Sequence, residues 1–222
     1  QYMGFNHHVN FGVSEYGFTN NNANVTAVSY ASMLGTFAEH NVDYFTPWYW
    51  HNGMWEVLHL FSRYAKTESV KSISSNEQAV SAYSSVNFVA DSMTVILVNR
   101  SVSLTQTVNV KLDNFIVTDG SYVIKQLKQL PTTETFESHT KNELQTGTAT
   151  VTSNSFSISL PALSITAVVL KGKGSSTGVK EFATQKQNLI IYPNPISTEA
   201  YAEIDLKNKP SGSLNVEVFN SL

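Results

Sequence analysis

The N-terminal part of the chain alternates between strand-like and helix-like patterns of apolar residues. Residues 10–16 (NFGVSEY) and 42–50 (VDYFTPWYW) are dense in apolar, β-branched or aromatic side chains, which predicts strands. Residues 25–40 and 53–66 carry apolar side chains at helical spacing. The resulting strand–helix–strand–helix order predicts two parallel βα units. We expect regular pairing of the second strand to end at Pro47.

Polar residues at the ends of these segments predict where the helices begin and end. Asn24 is the expected N-cap of the first helix, and Asn41 is expected to stop it. The second helix is expected to place its apolar side chains on one face, namely Met54, Val57, Leu58, Phe61 and Ala65.

From about residue 68 the pattern changes to short alternating segments separated by turn signals. Around seven such segments predict an antiparallel β-sandwich over residues 68–171. A Gly/Ser/Lys-rich stretch then predicts a linker over 172–187. Residues 188–222 return to alternating strands around a "YPNP" turn and predict the start of a separate small β-module.

Composition narrows the classes of function. Only 14% of the 222 residues are charged and the net charge is −3, so nucleic acid is not the expected partner. No apolar run approaches the roughly 20 residues of a membrane span. The absence of cysteine excludes disulfides, thiolate catalysis and cysteine-ligated zinc. Both ends of the chain look cut, which suggests a fragment of a longer protein.

Three ordered segments carry a resemblance to glycoside hydrolase family 44, a family of retaining endoglucanases and xyloglucanases. "VSEYGF" (13–18) resembles its nucleophile strand, which has a Glu-Tyr pair at the carboxyl end. "ASMLGTFAEHNVDYFTPWYW" (31–50) is similar to the helix and last strand that follow, and "MTVILVNRS" through "LPALSITAVVLK" (93–171) to the attached sandwich. Pro47 departs from the polar or basic residue expected there.

The resemblance implies an α/β plus all-β architecture. Residues 1–67 would be the last two βα units of a (β/α)8 TIM-like catalytic barrel, and residues 68–171 its β-sandwich. "LIIYPNP" (189–195) resembles the start of the C-terminal sorting domain of the type IX secretion system. That likeness implies secretion or cell-surface attachment in a Bacteroidetes-type bacterium, with the secretion machinery as a partner.

By the same resemblance, Glu15 is the catalytic nucleophile, and Tyr16 and Trp48 are substrate-binding residues. Tyr16 would hydrogen-bond the carboxylate, and Trp48 would form a stacking platform for a glucose unit. The alternatives are that Glu15 is a solvent-facing acid and that Trp48 fills an interface, as is expected of Trp50 and Trp55.

A retaining glycosidase needs a second carboxyl group about 5 Å from the nucleophile. Glu39 and Glu56 are expected on solvated helix faces, and Asp43 precedes its strand at the opposite end. The resemblance instead places the acid/base upstream of Gln1. His7 and His8 cannot easily share one ion because adjacent strand residues point to opposite faces. We therefore expect no metal and no cofactor.

The sequence is thus interpreted as the C-terminal part of a secreted retaining glycoside hydrolase. The implied substrate is a polysaccharide with internal β-1,4-glucosidic bonds, either cellulose-like or xyloglucan. Two alternatives stay open. One is another retaining barrel-plus-sandwich enzyme, such as a xylanase, glucuronoxylanase or arabinofuranosidase. The other is a non-catalytic carbohydrate-binding or adhesion protein.

Overall fold

A computed structural model describes residues 11–18, 20–131, 144–174, 189–192 and 201–204. The chain divides into two compact units, residues 1–177 and residues 178–222. The predicted βα part and the predicted antiparallel β part therefore lie in the same unit.

The first unit opens with the strand–helix–strand–helix order that the sequence predicts. Its elements are β1 (Gly12–Tyr16), α1 (Ala23–Glu39), β2 (Tyr44–Pro47) and α2 (Met54–Tyr64). Strands β1 and β2 pair in parallel, so α1 is the crossover helix between them. The pairing ends at Pro47, as expected from the missing N–H of proline.

The ends of α1 confirm one predicted cap and correct the other. Asn22, not Asn24, is the N-cap, and its side chain accepts a hydrogen bond from the Asn24 backbone N–H at 3.0 Å. The Asn24 side chain is instead engaged with the Leu130 backbone, accepting from its N–H at 2.8 Å. At the other end, Asn41 adopts a left-handed φ of 53°, which ends the helix as predicted.

The remaining strands of this unit are antiparallel, as the alternating segments predict. They are β3 (Glu68–Val70), β4 (Val80–Val86), β5 (Ser92–Asn99), β6 (Gln106–Lys111), β7 (Phe115–Val117), β8 (Gly120–Leu127), β9 (Leu144–Val151), β10 (Ser155–Leu160) and β11 (Ser164–Gly174). A central sheet has the order β3-β4-β5-β11-β8-β9, with β7 also paired to β11, and β6 pairs with β10 separately. Strand β11 continues three residues beyond the predicted end at 171, and the short strands β3 and β7 were not predicted.

The central sheet is buried on both faces. Along β5, Met93, Val95 and Leu97 belong to a core shared with β6 and β10. The alternate residues Ile96 and Val98 belong to a second core formed with α1 and α2. Because successive side chains of a strand point to opposite faces, β5 must be apolar at nearly every position. This accounts for the unbroken apolar run in "MTVILV".

A glycine allows α1 to lie close to the sheet. A Cβ added at Gly35 would overlap the ring of Tyr83 on β4, so the ring occupies the space that a side chain would need. The Tyr83 hydroxyl donates to the Ser32 carbonyl oxygen at 3.1 Å, one turn earlier on the same helix. Tyr83 therefore fixes both the distance and the position of α1 on the sheet.

The buried face of α2 differs from the predicted one. Met54 and Val57 are buried as predicted, while Leu58 and Phe61 are only partly buried against the same core. Leu60 is fully buried, and Glu56 is only 3% exposed, so the expectation that Glu56 lies on a solvated face is wrong. The contact face is thus rotated toward positions 56 and 60, because α2 packs against α1 and the sheet together.

In the second unit the structure describes one antiparallel pair. Strand β12 (Leu189–Tyr192) pairs with β13 (Tyr201–Ile204), with Leu189 opposite Ile204 and Tyr192 opposite Tyr201. The predicted linker residues 175–187 and the "YPNP" turn after Tyr192 lie outside the described residues.

Replacing Gly35 with alanine should lower the free energy of unfolding by about 1–3 kcal/mol, the usual cost of overpacking a filled core. The steric cost should outweigh the gain of about 1 kcal/mol that alanine brings in a helix. Urea denaturation measures the change. Ser62→Ala, at an exposed position of α2, is the matched control and should be nearly neutral. A stabilised Gly35→Ala protein would contradict the close contact with Tyr83.

Candidate active site at the carboxyl ends of β1 and β2

The two parallel strands bring their carboxyl ends to the same edge. Beyond the paired residues, the Trp48 N–H donates to the Tyr16 carbonyl oxygen at 2.8 Å. At the opposite end, the Asp43 carboxylate accepts from the Phe11 N–H at 2.8 Å, which ties the beginnings of the strands together. Asp43 therefore lies away from Glu15 and has a structural partner, as expected of a residue that precedes its strand.

The register of β1 shifts between Val13 and Tyr16, which places a bulge at Ser14 and Glu15. Gly12 and Val13 face Tyr44 and Phe45, but Tyr16 faces Pro47, so β1 contains one residue more than β2 between these pairs. The hydroxyl of Thr46 donates to the backbone carbonyl oxygens of Val13 and Ser14. Bulges redirect the side chains of the extra residues. Thr46 therefore helps to determine the direction in which Glu15 leaves the strand.

Glu15 is exposed. Within the described ranges, no residue forms a hydrogen bond or an ion pair with its carboxylate. The hydrogen bond expected from the Tyr16 hydroxyl is not formed. The Tyr16 ring packs instead against Phe45, with the ring centroids 6.1 Å apart. Glu15 is therefore an accessible carboxylate beside an aromatic surface rather than a member of a protein hydrogen-bond network.

Four exposed aromatic residues lie at the carboxyl end of β1 and in the segment that directly follows β2. Trp48 is 65% exposed, while Tyr16, Tyr49 and Trp50 are each about 40% exposed. We call these four residues the aromatic rim. The described residues do not enclose Trp48, and its role as a stacking platform stays a prediction. Exposed aromatic rings that lie together commonly mark binding sites, and they suit the flat apolar faces of sugars.

Trp50 and Trp55 were expected to pack in an interface, and in the structure they pack against each other, while Trp50 stays partly exposed. Their rings are stacked, with centroids 4.2 Å apart and planes inclined by 16°. Trp50 also contacts the ring of Tyr30 on α1 edge-on, with the two ring centroids 6.1 Å apart. Burial raises the pKa of Tyr30 to about 12, because its charged form would lose hydration. Tyr30 therefore stays neutral and serves as a support beneath the rim.

The other predicted acids do not join Glu15. Glu39 is exposed at the end of α1, which agrees with the predicted solvated face. Its pKa is raised, first by partial burial and then by the charge of Glu77, while His40 acts in the opposite direction. Glu56 is buried, and its Oε2 atom has no hydrogen-bond partner in the described part of the chain.

The structure shows no metal cluster within its described ranges. No group of three or more His, Asp or Glu side chains there is arranged to hold an ion. His7 and His8 lie outside those ranges. His51 and His59 are partly buried, and the His51 ring packs edge-on against Tyr49 at 4.6 Å.

Sequence reasoning did not single out Thr46 or Tyr49. A lone threonine in a strand carries no signal for a bulge, since the extra residue appears only once the register with β1 is known. Tyr49 lies within the aromatic run at residues 48–50. Gly17 lies directly after the Glu15–Tyr16 pair. Aromatic residues directly after the Pro47 break were the one available signal for Tyr49.

No protein-family profile and no curated protein matches this sequence. Solved structures do match it, and family 44 glycoside hydrolases are among them. CelM2, a bifunctional glucanase-xylanase from a metagenome library, is 21% identical to this chain, with a TM-score of 0.62. The match covers 73% of this chain and 31% of the CelM2 chain. A family 44 xyloglucanase from Paenibacillus polymyxa is 15% identical, with a TM-score of 0.60, and the match covers 73% of this chain and 32% of the xyloglucanase.

A third similar structure is the α-L-arabinofuranosidase from Thermotoga maritima. It is 11% identical with a TM-score of 0.59, and the match covers 73% of this chain and 43% of the enzyme. At such identities the likeness shows a shared fold, that of glycoside hydrolase domains. The chain spans about a third of the length of CelM2 and of the xyloglucanase. In the described part of the chain, neither helix has the length and apolar character to cross a membrane.

Thr46→Val should release the two backbone carbonyl groups of the bulge while preserving the shape of the side chain. We expect a loss of about 0.5–1.5 kcal/mol in the free energy of unfolding, the net value of an ordinary hydrogen bond. Amide NMR shifts should change from Ser14 to Tyr16. Thr107→Val is the control, an exposed strand threonine in β6 whose hydroxyl forms no hydrogen bond with the described residues. Unchanged shifts at Glu15 would refute the role of Thr46.

Proposed function

We propose that this chain is the C-terminal part of a secreted retaining glycoside hydrolase, with Glu15 as its nucleophile. The observation that carries the proposal is the exposed Glu15 carboxylate at the carboxyl end of a parallel strand, where the end of β1 and the segment after β2 carry four exposed aromatic residues. In (β/α)8 enzymes the carboxyl ends of the strands form the catalytic face. The shared fold with glycoside hydrolases supports the same interpretation.

In this proposal β1, α1, β2 and α2 are the last two βα units of a (β/α)8 barrel, and the antiparallel strands form its β-sandwich. Parallel strands are normally covered on both faces, yet four of the five residues of β1 are exposed. Further barrel strands would cover them. The same strands would supply the acid/base. Asp43 precedes β2 at the opposite end of the strand pair, Glu39 is the last residue of α1, and Glu56 is buried.

The chemistry proceeds in two steps. The Glu15 carboxylate attacks the anomeric carbon, the glycosidic C–O bond breaks, and the acid/base protonates the departing oxygen. Water, deprotonated by the same acid/base, then displaces Glu15 and releases the sugar with its original configuration. Trp48 and Tyr16 would hold glucose units beside Glu15. The proposed substrates are cellulose-like glucans and xyloglucan, cut internally.

A second candidate is a xylanase, glucuronoxylanase or arabinofuranosidase of the same architecture. Two proteins of similar fold support this candidate. CelM2 is described as a glucanase-xylanase, and the Thermotoga protein is described as an α-L-arabinofuranosidase. Hydrolysis of xylan or arabinan in preference to β-1,4-glucan by the full-length protein would select this candidate. The third class, a non-catalytic carbohydrate-binding or adhesion protein, would bind glucan without hydrolysing it.

We propose further that residues 188–222 belong to a sorting domain of the type IX secretion system, which would place the enzyme outside the cell. The resemblance of "LIIYPNP" and the antiparallel pairing of β12 with β13 support this assignment. Deleting the region from residue 178 onward should retain the protein inside a bacterium that has this system. Unchanged export of the deleted form would refute it.

Glu15→Gln in the full-length protein should lower kcat on β-1,4-glucan by at least about 1,000-fold, because an amide cannot form the glycosyl ester. A 2-deoxy-2-fluoro cellobioside should label Glu15 covalently, as peptide mass spectrometry would show. Residues 1–222 alone should be inactive because the acid/base is missing.

Asp43→Asn is the matched control at the other end of the same strand pair, and it should keep its activity once folding is verified by circular dichroism. Normal glucan binding without hydrolysis or labelling would favour the non-catalytic class. Hydrolysis by residues 1–222 that disappears with Glu15→Gln would show that the acid/base lies within this chain.

A further inference from the structure

We propose that Tyr49 is an additional sugar-binding residue of the Glu15 site, and that Gly17 and His51 position it. This inference rests on the proposed function. It adds a hydrogen-bonding residue to a site for which the sequence indicated only Tyr16 and Trp48.

Tyr49 lies across the end of β1, although it belongs to the segment that follows β2. A Cβ added at Gly17 would lie 3.1 Å from the Tyr49 hydroxyl oxygen and 3.5 Å from the ring carbon that bears it. Gly17 is two residues beyond Glu15. The bare backbone at Gly17 therefore leaves the space in which the phenol hydroxyl lies next to the candidate nucleophile strand.

His51 restricts the ring from another side. The two ring centroids are 4.6 Å apart and the rings are nearly perpendicular, at 85°. His51 is itself fixed at the beginning of α2, where its carbonyl oxygen accepts from the Met54 N–H at 3.1 Å. Tyr49 thus has a defined orientation before any ligand binds, which reduces the entropy lost on binding.

The hydroxyl of Tyr49 is available to a ligand. Over the ranges that the structure describes, no protein group forms a hydrogen bond with it, and the side chain is 40% exposed. A phenol can donate one hydrogen bond and accept another, as a sugar hydroxyl also can. Its neighbour Trp48 offers a more exposed ring for stacking. A neutral hexose fits this pair, because the rim contributes aromatic faces and hydroxyl groups without charge.

The chain contains a matched control for Tyr49. Tyr44 covers Gly12 at the opposite end of the same strands, with its ring over the space a Cβ would occupy, and it is 54% exposed. Both tyrosines thus cover a glycine at an end of β1, since Gly12 is its first residue and Gly17 directly follows its last. Only Tyr49 lies at the carboxyl end, where the proposed site is located.

The test measures the Kd of cellotetraose by calorimetry, using full-length protein with Glu15→Gln as the non-hydrolysing background. Adding Tyr49→Phe should weaken binding about three- to tenfold, the usual effect of losing one neutral hydrogen bond. Adding Gly17→Ala should weaken binding similarly by displacing the hydroxyl. The two changes together should be no worse than Tyr49→Phe alone, because both act on the same hydroxyl. Tyr44→Phe should leave the Kd unchanged.

The outcomes separate this inference from the proposed function. An unchanged Kd for Tyr49→Phe, or equal losses for Tyr44→Phe and Tyr49→Phe, overturns the role of Tyr49 even where Glu15→Gln abolishes hydrolysis. Independent, additive losses from Gly17→Ala and Tyr49→Phe overturn the positioning role of Gly17. Active Glu15→Gln protein instead overturns the proposed nucleophile. No oligosaccharide binding by any form overturns both.

Discussion

The requirement that the central sheet be covered on both faces determines the rest of the first unit. Strand β5 contributes to two cores, with Val95 and Leu97 on one face and Ile96 and Val98 on the other. Strand β11 does the same through Val168 and Ala167. Because apolar surface on either face would be exposed without its covering layer, the helices and the β6–β10 pair are both needed. The helices in turn support β1 and β2, from which the candidate site is built.

The candidate site illustrates how a rigid support and an accessible edge are combined. Tyr30 is buried in the helix–sheet core and contacts both Phe45 of β2 and Trp50 of the aromatic rim. Trp50 therefore has one side against the core and the other toward solvent. Such a surface can bind a sugar without a large rearrangement, which suits a ligand that is itself flat and neutral.

Much of the fold could be predicted from the sequence because its signals are local. Period-two alternation indicated the antiparallel strands, and the order of helices and strands indicated the βα units. The failures required knowledge of distant contacts. Asn24 has the chemistry of a cap, but its side chain is taken by Leu130, more than one hundred residues away. Glu56 has the polarity of a surface residue, yet the packing of α2 against two partners buries it.

The site could be predicted only in part, for the same reason. Glu15, Tyr16 and Trp48 were singled out by a resemblance, whereas the positions of Thr46 and Tyr49 depend on the pairing of β1 with β2. The bulge at Glu15 and the contact over Gly17 are both consequences of that register. Single residue types such as threonine and glycine carry too little information to reveal a register. A pairing between residues 31 or 32 positions apart in the chain has to be known first.

The packing of α1 on the sheet also limits how this protein could have been assembled in evolution. A recombination joint at residue 67 would separate Gly35 from Tyr83 and leave the apolar side chains of Ile96, Val98 and Ile165 in water. The antiparallel sheet is thus not a portable module that could be fused to an unrelated catalytic domain. A joint after Gly174, where the last strand of the sheet ends, would leave both cores intact. Exchange of domains is therefore expected at the C-terminal side of the sheet, while the helices and the sheet are inherited together.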